Sequence, residues 1–306
     1  MDYVLRTFGL SKKYKKHLAV NDANMTICRG DIYGFVGENG SGKTTIIRLI
    51  TGLIFPHEGW FELFGVSNDS TQIREARRMV GAVVESPSIY QNMSAYDNLK
   101  MQCMILGIPA DERIAQTLDI VGLGYLLNEK KHASNFSLGM RQRLGIAMAL
   151  LGQPEFLILD EPMNGLDPAG IVEIRELILK LNREQNITFL ISSHILTELS
   201  LVATKYGIIS KGHIIKEIAA AQLQEELAKT TDITVDRPEE LTKLLADLLP
   251  EHKLSYIPNG VRFVGEIDLN DVLSAIIGAG IRITGVNCRE TSFEDYYLET
   301  IGGKQR

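Results

Sequence analysis

Three cysteines in 306 residues, Cys28, Cys103 and Cys288, are too few and too far apart for a disulfide framework, and none has the CxxC or Cys/His spacing that holds zinc. They read as reduced, mostly buried thiols. No apolar stretch reaches the roughly 18 to 20 residues that cross a bilayer; Phe156 to Leu159 is short and Ala275 to Ile283 contains two glycines. Met1 to Ser11 include Asp2 and Arg6 and lack the apolar core of a secretory signal, so the chain is expected to stay in the cytoplasm. Positive charge dominates no domain: the formal net charge is −6, and no strongly basic domain is present to grip a nucleic-acid backbone. Internal repeats and low-complexity tracts are missing too.

What is there is globular: 45% hydrophobic and 23% charged residues, in a length that at about 150 residues per domain suggests two domains, each able to bury its own core. Residues 231–306 carry 8 Lys or Arg against 13 Asp or Glu, whereas the preceding part is nearly neutral. A change of texture near Lys229-Thr230-Thr231-Asp232 coincides with that shift and places a domain boundary there.

Before the boundary the pattern predicts strands over Tyr3 to Phe8, Asn24 to Cys28 and Asp31 to Val36, then a helix over Ile46 to Leu53. A mainly helical stretch follows from Ser86 to Leu151, with Asn92-Met93-Ser94 as a cap. Next come a strand over Phe156 to Leu159, a helix over Ala169 to Glu184 and a strand over Thr188 to Ser192. Strands alternating with helices imply a parallel sheet and an α/β class. The tail predicts a small α+β domain: strand Ile233 to Val235, helix Pro238 to Leu249, a hairpin around Pro258-Asn259-Gly260 into Val261 to Val264, helix Asn270 to Ala279 and strand Ile281 to Val286.

Two motifs carry chemistry. Gly37-Glu38-Asn39-Gly40-Ser41-Gly42-Lys43-Thr44-Thr45 fits G-x-x-x-x-G-K-[ST] between an apolar strand and a helix. Glycines let backbone N–H groups turn around a phosphate, Lys43 adds positive charge, the Thr44 hydroxyl can ligate Mg²⁺, and the helix points its positive end at the anion. Asp160 and Glu161 close the second apolar strand; Asp160 can hold Mg²⁺ through its water shell, and Glu161 can orient and deprotonate an attacking water.

With these motifs, residues 3 to 218 resemble the nucleotide-binding subunit of ABC transporters. Asn135-Phe136-Ser137-Leu138-Gly139-Met140-Arg141-Gln142-Arg143 stands where that family has its signature, and Ser192-Ser193-His194 where it has its switch histidine. The resemblance implies a P-loop ABC nucleotide-binding domain over 1–220, with a RecA-like parallel core, an antiparallel β subdomain and a helical subdomain over about 86–151, followed by an accessory α+β domain over 231–306. It implies an ATPase using ATP and Mg²⁺, with Glu161 and His194 catalytic. Nucleotide contacts fall to Asn39, Gly40, Ser41, Gly42, Lys43, Thr44 and Thr45. Tyr14, in a lysine-rich turn, is where an aromatic ring stacks on adenine. Ser137 and Gly139 are expected to reach the γ-phosphate held by an opposite copy, and Asp167, in Asn164-Gly165-Leu166-Asp167, lies in a loop that communicates across the pair.

The chain departs from the family's pattern in three places. Glu85 replaces the usual glutamine after the strand into the helical subdomain, which puts a carboxylate with Thr44 and Asp160 at the metal. Phe136, Leu138 and Met140 alter the signature but leave Ser137 and Gly139 intact, and Met163 replaces a small residue after Pro162. Glu85, the Phe-Ser-Leu-Gly-Met signature and the tail from Ser292 to Gly303 resemble one subgroup, the bacterial bacitracin and lantibiotic resistance or immunity exporters. The resemblance then implies a homodimer of these subunits, no nucleic-acid partner, and a separate permease that holds the chain at the cytoplasmic face of the membrane. Tyr90, Met93, Tyr96 and Leu99 are expected at the permease groove. A soluble ABC ATPase acting on ribosomes or DNA is the competing reading; it usually has two nucleotide domains or a long coiled coil, and neither is visible here.

Overall fold

The computed structural model describes residues 2–227, 229–248, 253–264, 268–289 and 292–302. The chain divides into two compact units, Met1–Ala220 and Ala221–Arg306.

In the first unit the long apolar runs become the middle of a sheet. Its strands are β4 (Ile32–Val36), β7 (Val80–Val83), β8 (Phe156–Asp160), β9 (Thr188–Ser193), β10 (Lys205–Ser210) and β11 (His213–Ala219), in the order β11-β10-β4-β9-β8-β7. All neighbours are parallel except β10 and β11. Every residue of β4, β8 and β9 is buried, as a parallel sheet covered on both faces requires. A second, antiparallel sheet holds β1 (Tyr3–Tyr14), β2 (His17–Ala23), β3 (Thr26–Cys28), β5 (Glu58–Leu63) and β6 (Val66–Ser67). The helices are α1 (Lys43–Thr51), α2 (Ile73–Arg78), α3 (Ala95–Leu106), α4 (Asp111–Ile120), α5 (Leu138–Leu150), α6 (Pro168–Gln185) and α7 (Leu196–Ser200). Residues such as Phe35, Ile46, Ile50, Phe61, Phe156 and Leu190 share one core that spans both sheets and α1.

Register decides where the site lies. Val36 pairs with Ser193, Asp160 with Ser192, and Val83 with Leu159. The carboxyl ends of β4, β9, β8 and β7 therefore stand side by side, and the loops after them share one crevice, the usual ligand position of an open α/β sheet.

The second unit opens with α8 (Ala220–Leu227), followed by β12 (Thr230–Val235), α9 (Pro238–Leu248), β13 (Lys253–Ile257), β14 (Gly260–Val264), α10 (Leu269–Gly278), β15 (Ile283–Arg289) and α11 (Phe293–Gly302). Four antiparallel strands in the order β13-β14-β12-β15 make a split βαβ pattern. Leu241, Leu245, Val272 and Ile276 close a separate core against Ile233, Val261 and Phe263. The division falls ahead of the texture change near Lys229: α8 goes with this unit, and Glu226 accepts a hydrogen bond from the Tyr296 hydroxyl on α11 at 2.7 Å.

Several expectations need correction. β1 runs on to Tyr14 through two register shifts, and β2, β5, β6, β10 and β11 are strands without an uninterrupted apolar run in the sequence. All three cysteines are free, but only Cys103 is buried; Cys28 is half-buried and Cys288 is exposed. Ser94 caps α3, its hydroxyl accepting from Asp97 N at 3.1 Å. Leu99, expected at a permease groove, is fully buried, and the Tyr96 hydroxyl is bonded to Asp111, which leaves Tyr90 as the open aromatic there. Among the described residues no helix is long and apolar enough to cross a membrane.

Candidate functional site

The loop after β4 is shaped by its glycines. Gly42 has φ 113°, and a Cβ there would stand 2.6 Å from the Ala19 carbonyl; one on Gly37 would stand 2.5 Å from that of Ile209. Glu38, Asn39 and Gly40 are exposed, whereas Ser41, Gly42 and Lys43 turn inward. No side chain caps the start of α1, so its first turn offers N–H groups and positive potential to an anion. Thr44 and Thr45 lie half-buried in that turn. The Lys43 ammonium, 5% exposed, donates to Gly37 O at 2.5 Å and Glu38 O at 3.2 Å and lies 3.5 Å from Glu161 Oε1. Ser41 Oγ is buried without a hydrogen-bond partner. An inward hydroxyl in need of a partner, beside a buried ammonium and an uncapped helix start, fits a polyphosphate.

Across the crevice Asp160, 1% exposed, accepts from Thr44 Oγ1 at 2.9 Å and from Ser192 Oγ at 2.5 Å. A hydroxyl and a carboxylate side by side at a phosphate loop are the donors Mg²⁺ takes, with waters and phosphate completing its shell. No group of three or more His, Cys, Asp or Glu poised for a metal exists among the described residues, so a divalent cation here would depend on substrate oxygens.

Glu161 has φ 52° and its N–H donates to Ser192 O at 3.1 Å and Oγ at 3.0 Å, a bond pair that turns its side chain back over the crevice. There Oε2 lies 2.7 Å from His194 Nδ1 and 3.4 Å from His194 N. With Nδ1–H donating to Glu161, Nε2 is the free face of the imidazole. Lys43, Thr44, Asp160, Glu161, Ser192 and His194 thus form one connected set built by three chain segments.

Glu85 stands outside that set. It was expected with Thr44 and Asp160 as a metal ligand, but its carboxylate is paired with the Arg48 guanidinium on α1. The physical reason is helix phase: Arg48 lies one turn beyond Thr44 on the same face of α1 and meets Glu85 first.

Tyr14 is 39% exposed at the end of the β1–β2 hairpin, with Lys12 Nζ 5.7 Å from its ring centre. The same hairpin leads to Ala19 against Gly42, which keeps the ring's loop next to the phosphate loop. Lys13, Lys15 and Lys16 are exposed. Ser137 is the N-cap of α5, its Oγ accepting from Met140 N at 3.2 Å, and it faces solvent. A Cβ on Gly139 would meet only Leu166, at 3.9 Å, and Asp167 caps α6 by accepting from Gly170 N at 3.1 Å. The starts of α5 and α6 thus form one ledge, Leu138 beside Gly165 and Leu166 beside Gly139, on which Ser137 and Asp167 are exposed and Gly139 is half-buried, with no hydrogen bond from these three to the Lys43–Asp160 set. Met163 is buried.

Sequence reasoning missed Ser192 and Arg48. The signal for Ser192 was the parallel pairing that sets it beside Asp160; for Arg48 it was the four-residue step from Thr44.

Comparison with known proteins is consistent with this geometry. The profile of a family described as ABC transporter matches residues 20–164. The chain is 40% identical over 305 residues to the bacitracin transport ATP-binding protein BcrA of Bacillus licheniformis, covering 99% of both chains. It is 42% identical over 226 residues to the lantibiotic transport ATP-binding protein SrtF of Streptococcus pyogenes, covering 73% of this chain and 95% of that one. Among solved structures, cbiO1 from Clostridium perfringens, part of the ABC transporter complex cbiONQ, superposes with a TM-score of 0.67 at 28% identity, covering 82% of this chain and 97% of its own.

Proposed function

The chain belongs to the ATP-binding subunits of ABC transporters, ATPases that power a separate permease, and from that membership we propose that its permease exports a peptide antibiotic of the bacitracin or lantibiotic kind. The observation that carries the substrate class is the end-to-end similarity to the bacitracin transport protein, which includes the second unit.

In the proposed mechanism Lys43, Ser41 and the N–H groups from Asn39 to Thr45 hold the phosphates of ATP, and the Tyr14 ring stacks on its base. Mg²⁺ held by Thr44 and Asp160 would neutralise phosphate charge and fix the chain's geometry against it. Glu161 accepts a proton from the attacking water, and His194, bonded to that carboxylate, sets its direction and offers Nε2 to the γ-phosphate. When phosphate takes over the Lys43 ammonium, the Glu161 carboxylate is released from that contact to face the attacking water. Ser137 and Gly139 act on the nucleotide of a second copy, with Asp167 beside them, because their ledge faces solvent rather than their own phosphate loop. Two copies related by a twofold axis then enclose two ATP molecules. Release of phosphate opens the pair, and the permease, gripped around Tyr90 at the cytoplasmic face of the membrane, follows that motion.

Tagging the chain in its native cell, solubilising membranes and measuring hydrolysis on what co-purifies tests this reading. A polytopic membrane protein that raises ATP hydrolysis, together with lowered resistance to bacitracin or a lantibiotic on deletion, is the expected result. Ribosomal or DNA-bound partners in place of a membrane protein would overturn it.

A further inference from the structure

The turn between β10 and β11, with Lys211 and Gly212 in left-handed backbone, lies against the outside of the phosphate loop. Gly212 N–H donates to Ser41 O at 2.8 Å, and Gly212 O accepts from Asn21 N on β2 at 2.9 Å. A side chain would not fit there: a Cβ on Gly212 would stand 3.0 Å from the Ala19 carbonyl, the same oxygen that a Cβ on Gly42 would meet at 2.6 Å. In a trans peptide the C=O and N–H point in opposite directions. The bond that draws Ser41 O toward the turn therefore aims the Gly42 N–H away from it, while Ser41 Oγ is buried and without a partner. Side chains tie the turn down in their own right. Asn21 Nδ2 lies 3.0 Å from His213 Nε2, and with a neutral imidazole the amide donates and Nε2 accepts. Neither side chain is bonded to Lys43, Thr44, Asp160 or Glu161.

We propose that Asn21 and His213 are positioning residues for nucleotide binding: together they fix the Lys211–His213 turn, and through the Gly212–Ser41 bond that turn holds the Gly42 N–H ready for phosphate. A loop held in its binding shape beforehand gives up less freedom when the ligand arrives, so the clamp acts on affinity. Its parts come from β2 and the β10–β11 turn, outside the glycine-rich segment itself. The proposal rests on the reading of Gly37 to Thr45 as a phosphate loop.

The test is the equilibrium affinity of the full chain for a fluorescent, non-hydrolysable ATP analogue with Mg²⁺, set beside the urea midpoint of the same variants without nucleotide. His213→Ala and Asn21→Ala are each expected to weaken binding about two- to fivefold, the reach of one lost hydrogen bond. The midpoint stays in place, since His213 is exposed and Asn21 only half-buried. The double variant binds no worse than either single one, because both act through one bond. His213→Gln keeps an acceptor within reach of Asn21 and stays near the starting affinity. Unmoved affinity in the alanine variants, losses that add in the double variant, a glutamine variant no better than alanine, or a lowered midpoint without nucleotide overturns the clamp alone. Lys43→Ala is the control for the loop: binding as tight as in the unaltered chain overturns the phosphate-loop reading as well.

Discussion

At the residue scale, surroundings rather than residue type decide chemistry, and the thiols show it simply. Cys103 is fully buried and burial raises its thiol above the ordinary value, so little thiolate forms near pH 8 and no reagent reaches it. Cys28 is raised for the same reason, desolvation first and Asp31 second. Cys288 is exposed on β15. Brief alkylation of the native chain at pH 8, read by mass spectrometry, is expected to modify Cys288 and leave Cys103 intact until denaturant is added; rapid labelling of Cys103 would contradict its burial. The sequence could not rank these thiols, because burial is a property of neighbours. Lys43, Thr44, Asp160 and Glu161 were readable because each stands at a fixed offset from the end of an apolar strand. The partner of Glu85 was not, since it depends on the phase of a helix whose next turn happens to present Arg48.

At the element scale, β4, β8 and β9 were legible as unbroken apolar runs, while β1 was read only over Tyr3 to Phe8, and its far end and β2 were hidden by the lysine-rich turn of an edge hairpin, where Lys13, Lys15 and Lys16 are exposed. The Lys211-Gly212 turn between β10 and β11, with φ 49° and 83°, was a hairpin signal in plain view. Helix α3 carries the least obvious tie of all: Asn98, fully buried, accepts from Tyr90 N at 2.8 Å and donates to Tyr90 O at 3.1 Å and Ser94 O at 2.9 Å. It replaces secondary structure for the loop that enters the helical stretch. Replacing Asn98 by Ala leaves those backbone groups without partners and is expected to cost about 2–4 kcal/mol, seen as a lower urea midpoint. An Ala at the exposed Met104 on the same helix is the control and should cost under about 0.5 kcal/mol. Equal midpoints for the two variants would refute the structural weight given to Asn98.

At the scale of the whole molecule, charge and texture place a boundary near Lys229, whereas contacts divide the chain after Ala220, with α8 assigned to the second unit. The α/β class and the order of the nucleotide-binding elements were legible because phosphate binding demands a strand, a glycine loop and a helix in sequence. What one chain leaves incomplete is also informative: the Ser137–Gly139 ledge is built, capped and exposed, but makes no hydrogen bond to the phosphate loop of its own chain. The account therefore requires a second copy. Light scattering on the size-exclusion peak of the Glu161→Gln variant with saturating ATP and Mg²⁺ measures this most directly, since binding persists while hydrolysis stops. The predicted mass is twice the 34.0 kDa of one chain, falling back when ATP is replaced by ADP. A single-chain mass at saturating ATP would contradict the account.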